Sequence, residues 1–181
     1  MNLPGGFDME RGLLHTYYGE GKGKTTAAFG LAFRCAGRGK KVVIAQFLKG
    51  SVSGEILAAE RFPNITLIRG KPTGKFTFQM DSEELAETAR SCAGILREAI
   101  SESEGGRMLV LDEVLDACAL GLLDIESLLN FLEDRQDDLE VIMTGHSVPD
   151  AIKEHADYVT LMRKEKHPFD RGVRAREDVE F

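Results

Sequence analysis

The sequence has no tryptophan, few prolines and no long hydrophobic run. Its 181 residues contain 5 prolines and 3 cysteines. The longest apolar stretches, such as Val42 to Ala45 and Met108 to Leu111, are far shorter than the ~20 residues of a membrane-spanning helix. The first ten residues reach Asp8 and Glu10 before any apolar run forms, which is unlike a secretory signal peptide. We therefore expect a cytoplasmic protein with no membrane partner.

The cysteines do not form a recognisable metal or disulfide pattern. Cys35, Cys92 and Cys118 are widely spaced, odd in number and in no C-x-x-C pair. Such spacing favours neither a disulfide framework nor a thiolate zinc site. We expect them to be small residues of the core.

Acidic residues are few in the first part of the chain and concentrated in the second. Residues 1–80 hold 12 Lys and Arg against 5 Asp and Glu, whereas residues 81–181 hold 11 against 25, within a net charge of -7. An acidic protein without a basic, aromatic-containing stripe repels a polyanion, so we expect no nucleic-acid partner. A small phosphate ligand bound by the N-terminal part fits this asymmetry.

Short apolar runs alternate with helical patterns along most of the chain. This alternation predicts an α/β fold, a mostly parallel sheet with helices on both faces. We expect one domain over residues 1–181, with an N-terminal extension (1–11) and a C-terminal tail (164–181). The predicted strands are Leu13 to Tyr18, Lys41 to Phe47, Ile65 to Ile68, Met108 to Leu111, Val141 to Met143 and Tyr158 to Met162; the predicted helices are Thr25 to Cys35, a long helix capped by Asp81 and Glu84, Ile125 to Leu132, and Ala151 to His155. Gly50 to Gly54 and Gly70 to Gln79 are predicted loops, the second a candidate functional loop.

A glycine-rich segment lies where the first strand meets the first helix. Its backbone N–H groups can converge on a phosphate at a helix N-terminus, Lys24 adds positive charge, and the Thr25 hydroxyl suits Mg²⁺. The usual GxxxxGK[ST] pattern begins with glycine, and Tyr18 occupies that position here, so the match is a variant. The predicted nucleotide-binding residues are Gly19, Glu20, Gly21, Lys22, Gly23, Lys24, Thr25 and Thr26.

Two carboxylates directly follow the strand Met108 to Leu111. A phosphate loop needs an acidic partner at the carboxyl end of a neighbouring strand, so we expect Asp112 and Thr25 to hold Mg²⁺. Glu113 could orient a water or contact the nucleotide, or it could be a solvated residue at a helix start. Together with the alternating strands and helices, these residues predict a P-loop NTPase-like (RecA-like) fold. They predict binding of a nucleoside triphosphate without saying which group is transferred.

Several blocks of the sequence together resemble one family. They are GEGKGKTTAAFGLAFRCAGRGKKV (19–42), AQFLKG (45–50) followed by Gly54-Glu55, Phe76-Thr-Phe78, VLDE (110–113), Thr144-Gly145 and HPFDRGVRAREDVEF (167–181). In this order they resemble the P-loop type of ATP:corrinoid adenosyltransferase, also called cob(I)alamin adenosyltransferase. The first and last blocks are the specific ones, because the loop alone occurs in many unrelated NTPases.

The resemblance implies transfer of the 5′-deoxyadenosyl group of ATP to the cobalt(I) of a corrinoid, with release of triphosphate. ATP and the reduced corrinoid are then substrates and Mg²⁺ the cofactor. Catalytic roles fall to Lys24, Thr25 and Glu113, and to Phe76 and Phe78 as apolar rings against the corrin. The alternative for the two rings is that they share one face of a short strand and pack into the core. The family's nucleotide lies reversed relative to most P-loop proteins, so Lys24 is not assigned to the β/γ bridge.

The chain departs from the family pattern at four positions. Members commonly have Trp at Phe78, Arg at His146, a small polar residue at Leu115 and Gly at Asp178. Replacement of an always-charged arginine by His146 leaves phosphate contact there open. In the tail, four residues could face phosphate or corrinoid carboxamides: His167, Arg171, Arg174 and Arg176.

Two other functions are compatible with the motifs. A P-loop kinase for a small alcohol would use Glu113 or Asp116 as its base, and a nucleotide-dependent switch or corrinoid-delivery module would bind ATP without consuming it. The resemblance implies in addition a reductant of the cobalt reductase or flavodoxin type, and a homodimer.

Overall fold

One parallel sheet organises the chain. The computed structural model describes residues 11–49, 52–70, 75 and 77–179, so most of the predicted N-terminal extension lies outside the described residues. All strand pairs are parallel and the strand order is β3-β2-β4-β5-β1-β6. The strands are β1 (Leu14–Tyr18), β2 (Val42–Gln46), β3 (Ile65–Arg69), β4 (Met108–Asp112), β5 (Glu140–Gly145) and β6 (Tyr158–Leu161).

Helices cover both faces of the sheet, as predicted. They are α1 (Lys24–Ala36), α2 (Gly54–Ala59), α3 (Ser82–Ser103), α4 (Val114–Ala119), α5 (Ile125–Asp134) and α6 (Asp150–His155), with 3-10 turns at Thr77–Gln79 and Pro168–Arg171. Among the described residues, no helix combines the length and apolar character needed to cross a bilayer.

Two hydrophobic cores follow from the two-residue period of the strands. Val42 and Ile44 of β2 face α1 and α2, and their neighbours Val43 and Ala45 face the core that contains α3 to α6. Every residue of β2 and β4 is buried, because these strands lie inside the sheet between two helical layers. Cys92 belongs to the second core and Cys35 and Cys118 pack at core margins, as expected for small core residues.

The predicted elements are present with shifted ends, and two short helices were not predicted. Gly54 was expected in a loop but begins α2, and α4 follows directly after Glu113. The long helix α3 begins with the capping box predicted from Asp81 and Glu84, in which each side chain accepts a backbone N–H of the other residue.

The register brings four strand ends to one edge of the sheet. Gln46 of β2 lies opposite Asp112 of β4, and Tyr18 of β1 lies opposite Gly145 of β5. Because the strands are parallel, the segments after β1, β2, β4 and β5 all leave the sheet at this carboxyl edge. Ligands of open α/β sheets bind at such an edge.

Candidate active site

The glycine-rich loop is shaped by left-handed backbone at its two ends. Gly19 has φ 113° and Gly23 has φ 108°, conformations that side-chain-bearing residues rarely adopt. A Cβ on Gly21 would lie 2.5 Å from the carbonyl oxygen of Met162, to which the Gly21 N–H donates at 2.7 Å. The loop therefore rests on the chain that leaves β6, and no side chain caps the α1 helix that starts behind it.

Lys24 folds back over this loop. Its Nζ donates to the carbonyl oxygens of Gly19 at 2.6 Å and Gly21 at 3.1 Å. The ammonium thus lies inside the ring of backbone that a phosphate would enter. Its contacts are neutral carbonyls, which a phosphate oxygen can replace with a charge-assisted hydrogen bond.

The remaining loop residues of the prediction lie at the surface. Glu20, Lys22 and Thr26 are exposed, and Lys22 Nζ donates to the carbonyl of Val179 at 2.9 Å. The C-terminal tail therefore returns to the loop. The structure brings the predicted residues Lys24 and Thr25 to the inner side of the loop.

Asp112 connects the loop to three strand ends. Its side chain is fully buried and its Oδ1 accepts from Thr144 Oγ1 at 2.7 Å and Thr25 Oγ1 at 3.0 Å. Its Oδ2 accepts from Gln46 Nε2 at 3.0 Å and Lys49 Nζ at 3.1 Å. These four donors hold the carboxylate in one orientation. They also offset the cost of burying its charge, which would be strongly destabilising without partners.

Lys49 supplies the cation of this cluster. Its Nζ donates to Thr25 Oγ1 at 2.7 Å and lies 3.6 Å from Glu113 Oε1. Burial alone would lower the pKa of Lys49, but the charges of Asp112 and Glu113 outweigh it, so the pKa is raised. The amine stays protonated between two carboxylates.

Glu113 has backbone geometry that non-glycine residues rarely adopt. With φ 64° and ψ 17° it is left-handed at the N-cap of α4, and its N–H donates to Thr144 Oγ1 at 2.9 Å. Such strained residues cluster at functional sites. Its side chain is 25% exposed, and burial raises the pKa of the carboxyl although Lys49 lowers it. Glu113 does begin a helix, and its partly exposed side chain lies beside Lys49.

The cluster fits a magnesium ion. Thr25 and Asp112 present hard oxygen ligands beside the loop, and the Lys49 ammonium shows that a cation is accommodated against both. Within the described ranges, no group of three His, Cys, Asp or Glu side chains is arranged to hold a metal. Mg²⁺ is commonly bound by one or two protein carboxylates, with phosphates and water completing its ligands.

His146 lies directly beside the loop. The Gly19 N–H donates to the carbonyl oxygens of Gly145 at 3.2 Å and His146 at 3.1 Å. Asp116 accepts from the His146 backbone N–H at 2.8 Å and contacts its Nδ1 at 3.0 Å. Leu115, the neighbouring departure from the family pattern, packs on Gly145, where a Cβ would lie 2.6 Å from its own Cβ.

The predicted corrin-facing rings are partly described. Phe78 lies on the 3-10 turn Thr77–Gln79 and is 82% exposed. It is therefore not a core residue on a strand. Phe76 lies outside the described residues.

The predicted tail residues divide between two settings. The half-buried His167 begins the 3-10 turn Pro168–Arg171, and its ring accepts the Phe169 N–H at 3.2 Å. Arg171, Arg174 and Arg176 are exposed.

Three polar residues of the cluster were not predicted from the sequence: Gln46, Lys49 and Thr144. Gln46 ends β2, Lys49 follows β2, and Thr144 lies near the end of β5. Both strands pair with β4. Lys49 lies within the AQFLKG block and Thr144 within Thr144-Gly145, both of which contributed to the family resemblance. Their places in these blocks were the only feature of the sequence that could have marked them as site residues.

Comparison with known proteins points to one family. The family model for ATP:corrinoid adenosyltransferase BtuR/CobO/CobP matches residues 10–181. The corrinoid adenosyltransferase of Escherichia coli (strain K12) is 35% identical over 175 residues, which cover 95% of this chain and 87% of that protein. Corrinoid adenosyltransferase CobA of Salmonella typhimurium is 36% identical over 181 residues, covering 95% and 87%. The corrinoid adenosyltransferase of Pseudomonas aeruginosa is 34% identical, covering 95% and 85%.

Solved structures resemble the chain in fold. EssC (ATPases 2 and 3) from Geobacillus thermodenitrificans superposes with a TM-score of 0.52 at 16% identity. The match covers 93% of this chain, which spans 36% of that one. The predicted P-loop NTPase-like fold is confirmed by this likeness and by the all-parallel sheet.

Proposed function

This chain belongs to the ATP:corrinoid adenosyltransferase family and adenosylates a corrinoid with ATP, and from this premise we propose which of its residues perform the transfer. Cobalt(I) attacks C5′ of the ribose, the cobalt–carbon bond forms, and the C5′–O bond breaks. The triphosphate leaves with the bonding electron pair. Reduced cobalt is already a strong nucleophile and needs no general base. The main task of catalysis is therefore to stabilise the charge that develops on the departing oxygens.

The loop 19–26 binds the triphosphate in this proposal. Its backbone N–H groups and the N-terminus of α1 face the anion, and Lys24 exchanges the carbonyls of Gly19 and Gly21 for phosphate oxygens. The observation that carries the proposal is the hydrogen bond from Thr25 to Asp112, since it joins this loop to the acidic end of β4. Glu113, held close by its left-handed backbone, orients solvent or nucleotide on the same side.

Thr25 and Asp112 would hold Mg²⁺. The ion would neutralise negative charge on the triphosphate as it leaves. Gln46 and Thr144 keep the Asp112 carboxylate in place: the neutral amide and hydroxyl groups of these side chains each donate a hydrogen bond to it. They are positioning residues of the site.

Phe78 is proposed to lie against the corrin. Its ring is largely exposed and is not part of the core, so it can offer an apolar surface to a ligand without any rearrangement of the core. An aromatic face offers no lone pair to cobalt and excludes water, which favours reduction to cobalt(I). Phe76, which lies outside the described residues, and the basic residues of the tail stay predicted contacts of the corrinoid on the sequence alone. An external reductant of the cobalt reductase or flavodoxin type would supply the electron.

A homodimer and a cytoplasmic location are also proposed. β6 forms one edge of the sheet, and its Tyr158, Val159 and Leu161 are each more than 40% exposed. An apolar sheet edge of this kind is readily covered by a second copy of the chain. Light scattering coupled to gel filtration measures the mass, and a monomer at all concentrations would contradict the dimer.

The assay for the transfer follows the fate of the phosphates. The protein is incubated with ATP, Mg²⁺ and chemically reduced cobalamin, and adenosylated product is followed by absorption while tripolyphosphate is quantified. We expect tripolyphosphate only when the reduced corrinoid is present. A kinase would release ADP with a suitable alcohol, and a switch would release neither product.

A further inference from the structure

A lysine occupies the place where the proposed metal site needs its ion. Lys49 Nζ lies 2.7 Å from Thr25 Oγ1 and 3.1 Å from Asp112 Oδ2, the two side chains that would hold Mg²⁺. The Thr25 hydroxyl donates its own proton to Asp112 Oδ1 at 3.0 Å. The Thr25 oxygen therefore accepts the hydrogen bond from Lys49 with a lone pair. A metal ion would be coordinated by a lone pair of the same oxygen.

The buried carboxylate explains why a cation is needed there. Asp112 is 0% exposed, and the other three groups that donate to it are neutral: Thr25, Thr144 and Gln46. A buried carboxylate left with neutral partners alone is strongly destabilised. Lys49, whose side chain is 31% exposed, supplies the balancing charge from the open side of the cluster.

The structure also provides a second place for the ammonium. Glu113 Oε1 lies 3.6 Å from Lys49 Nζ, on a backbone that the left-handed geometry of Glu113 holds in position. A side-chain rotation can therefore move the ammonium towards Glu113 without breaking its link to a carboxylate. An ammonium and a doubly charged ion cannot both contact the same two oxygens, because like charges at that separation repel.

We propose that Lys49 is a built-in substitute for the metal: its ammonium holds Thr25 and Asp112 in their binding geometry until Mg²⁺ replaces it, and then pairs with Glu113. This inference rests on the proposed magnesium site. Lys49 is a positioning residue that keeps the site formed between turnovers. It also competes with the free ion, so the site fills when the metal arrives with a polyphosphate that adds ligands.

The competition can be measured without nucleotide or turnover. Binding of Mn²⁺ to the full chain is followed by the loss of the free Mn²⁺ electron paramagnetic resonance signal. Lys49→Met is compared with the wild type and with Lys41→Met, a control at the opposite edge of the sheet whose Nζ contacts the carbonyl of Glu104. We expect Lys49→Met to lower the Mn²⁺ Kd at least tenfold and Lys41→Met to leave it unchanged. An unchanged or higher Kd in Lys49→Met would overturn the proposal.

Thermal unfolding gives a second readout of the same exchange. In EDTA the Tm of Lys49→Met should fall below that of the wild type, and MgCl₂ should restore more of it than in the wild type. Equal magnesium effects on both proteins would also overturn the proposal. If Lys49→Met does not fold, Lys49→Gln, which can still donate to Asp112, is measured in the same two ways with the same expected direction.

Asp112→Asn separates this inference from the metal site itself. Loss of Mn²⁺ binding in Asp112→Asn, with an unchanged Kd in Lys49→Met, would overturn the exchange and leave the site standing. Mn²⁺ binding that neither substitution alters would overturn the site as well. Tripolyphosphate release by the wild type tests adenosyl transfer independently of both outcomes.

Discussion

Asp116 holds His146 by two contacts, one to the backbone N–H at 2.8 Å and one to Nδ1 at 3.0 Å. The same residue 146 accepts the Gly19 N–H through its carbonyl, so this pair supports the edge of the phosphate loop. With Nδ1 turned to Asp116, Nε2 is the ring nitrogen left to face a phosphate. The pair therefore places an imidazole where the family commonly has arginine.

A charged replacement at this position should improve ATP binding. An arginine carries a fixed charge and a fork of five donors, whereas the His146 ring has two nitrogens, one of which already contacts Asp116. We expect His146→Arg to lower the KM for ATP about fivefold at pH 8, corresponding to about 1 kcal/mol for an exposed charge pair. His155→Arg, on α6 and away from the loop, is the control. A KM unchanged in His146→Arg would show that residue 146 does not reach the nucleotide.

Removal of the loop lysine should impair the reaction itself. Charge on the leaving triphosphate grows in the transition state, and the Lys24 ammonium is held among the carbonyls of the loop to meet it. We expect Lys24→Ala to lower kcat/KM roughly 100-fold or more, comparable to the loss of one preorganised donor. Lys41→Ala serves as the matched control, and near-normal turnover of Lys24→Ala would refute the assignment of the loop.

Neutralising Asp112 should change the metal requirement. Asn keeps the shape of the side chain but loses the charge that would hold Mg²⁺ directly or through water. We expect Asp112→Asn to raise the half-saturating Mg²⁺ concentration at least about tenfold, as for residues that support a metal site. A Mg²⁺ titration of turnover checks this. A curve identical to that of the wild type would remove Asp112 from the site.

Loss of the Phe78 ring should affect one assay more than another. We expect Phe78→Ala to slow adenosylation about tenfold, or about 1.4 kcal/mol, when cobalt(II) must be reduced on the enzyme by a mild reductant. Adenosylation of pre-formed cobalt(I) and the affinity for ATP should change much less. Because the ring is 82% exposed, the Tm should be maintained. Equal losses in both assays would argue against a role in reduction.

The hydrogen-bonded carboxylate of Glu140, at the amino ends of the strands, should stabilise the fold near neutral pH and lose this effect in acid. Burial would raise the pKa of Glu140, but hydrogen bonds from His15 and the Leu13 N–H outweigh it and the pKa is lowered. A lowered pKa contributes stability that is present above the unfolded value of 4.5 and is lost as the pH falls through the folded value. Glu140→Gln should therefore lower the free energy of unfolding by about 1–2 kcal/mol at pH 7, with the difference shrinking below pH 4.5.

Urea unfolding at several pH values measures this difference. Glu133→Gln, at an exposed ion pair with His155 on the surface of α5, provides the comparison. A deficit of Glu140→Gln that stays constant from pH 7 to pH 3 would show that packing, and not charge, is responsible.

The alternation of strands and helices could be read from the sequence because its strands are short apolar runs between turns. The loop could be read as well, since its chemistry lies within eight consecutive residues. α2 and α4 were not predicted, although α6, which also has six residues, was. Their starts at Gly54 and after the left-handed Glu113 resemble turns, and only packing against the sheet makes them helical.

The cluster around Asp112 could be predicted only in part. Thr25 and Asp112 were paired through the general logic of phosphate loops, whereas Gln46, Lys49 and Thr144 depend on the strand order β2-β4-β5. Residues 46, 112 and 144 are far apart in the chain, and local pattern does not determine which strands become neighbours. The role of Lys49 follows from that topology.

The contacts of the phosphate loop also order events during synthesis of the chain. Gly19 and Gly21 emerge from the ribosome well before Gly145, His146 and Met162, whose carbonyl groups accept hydrogen bonds from their N–H groups. A nascent chain therefore has the nucleotide-binding sequence long before it has the supports that give this sequence its shape. Tight ATP binding should consequently appear only after β6 has been synthesised and has joined the sheet.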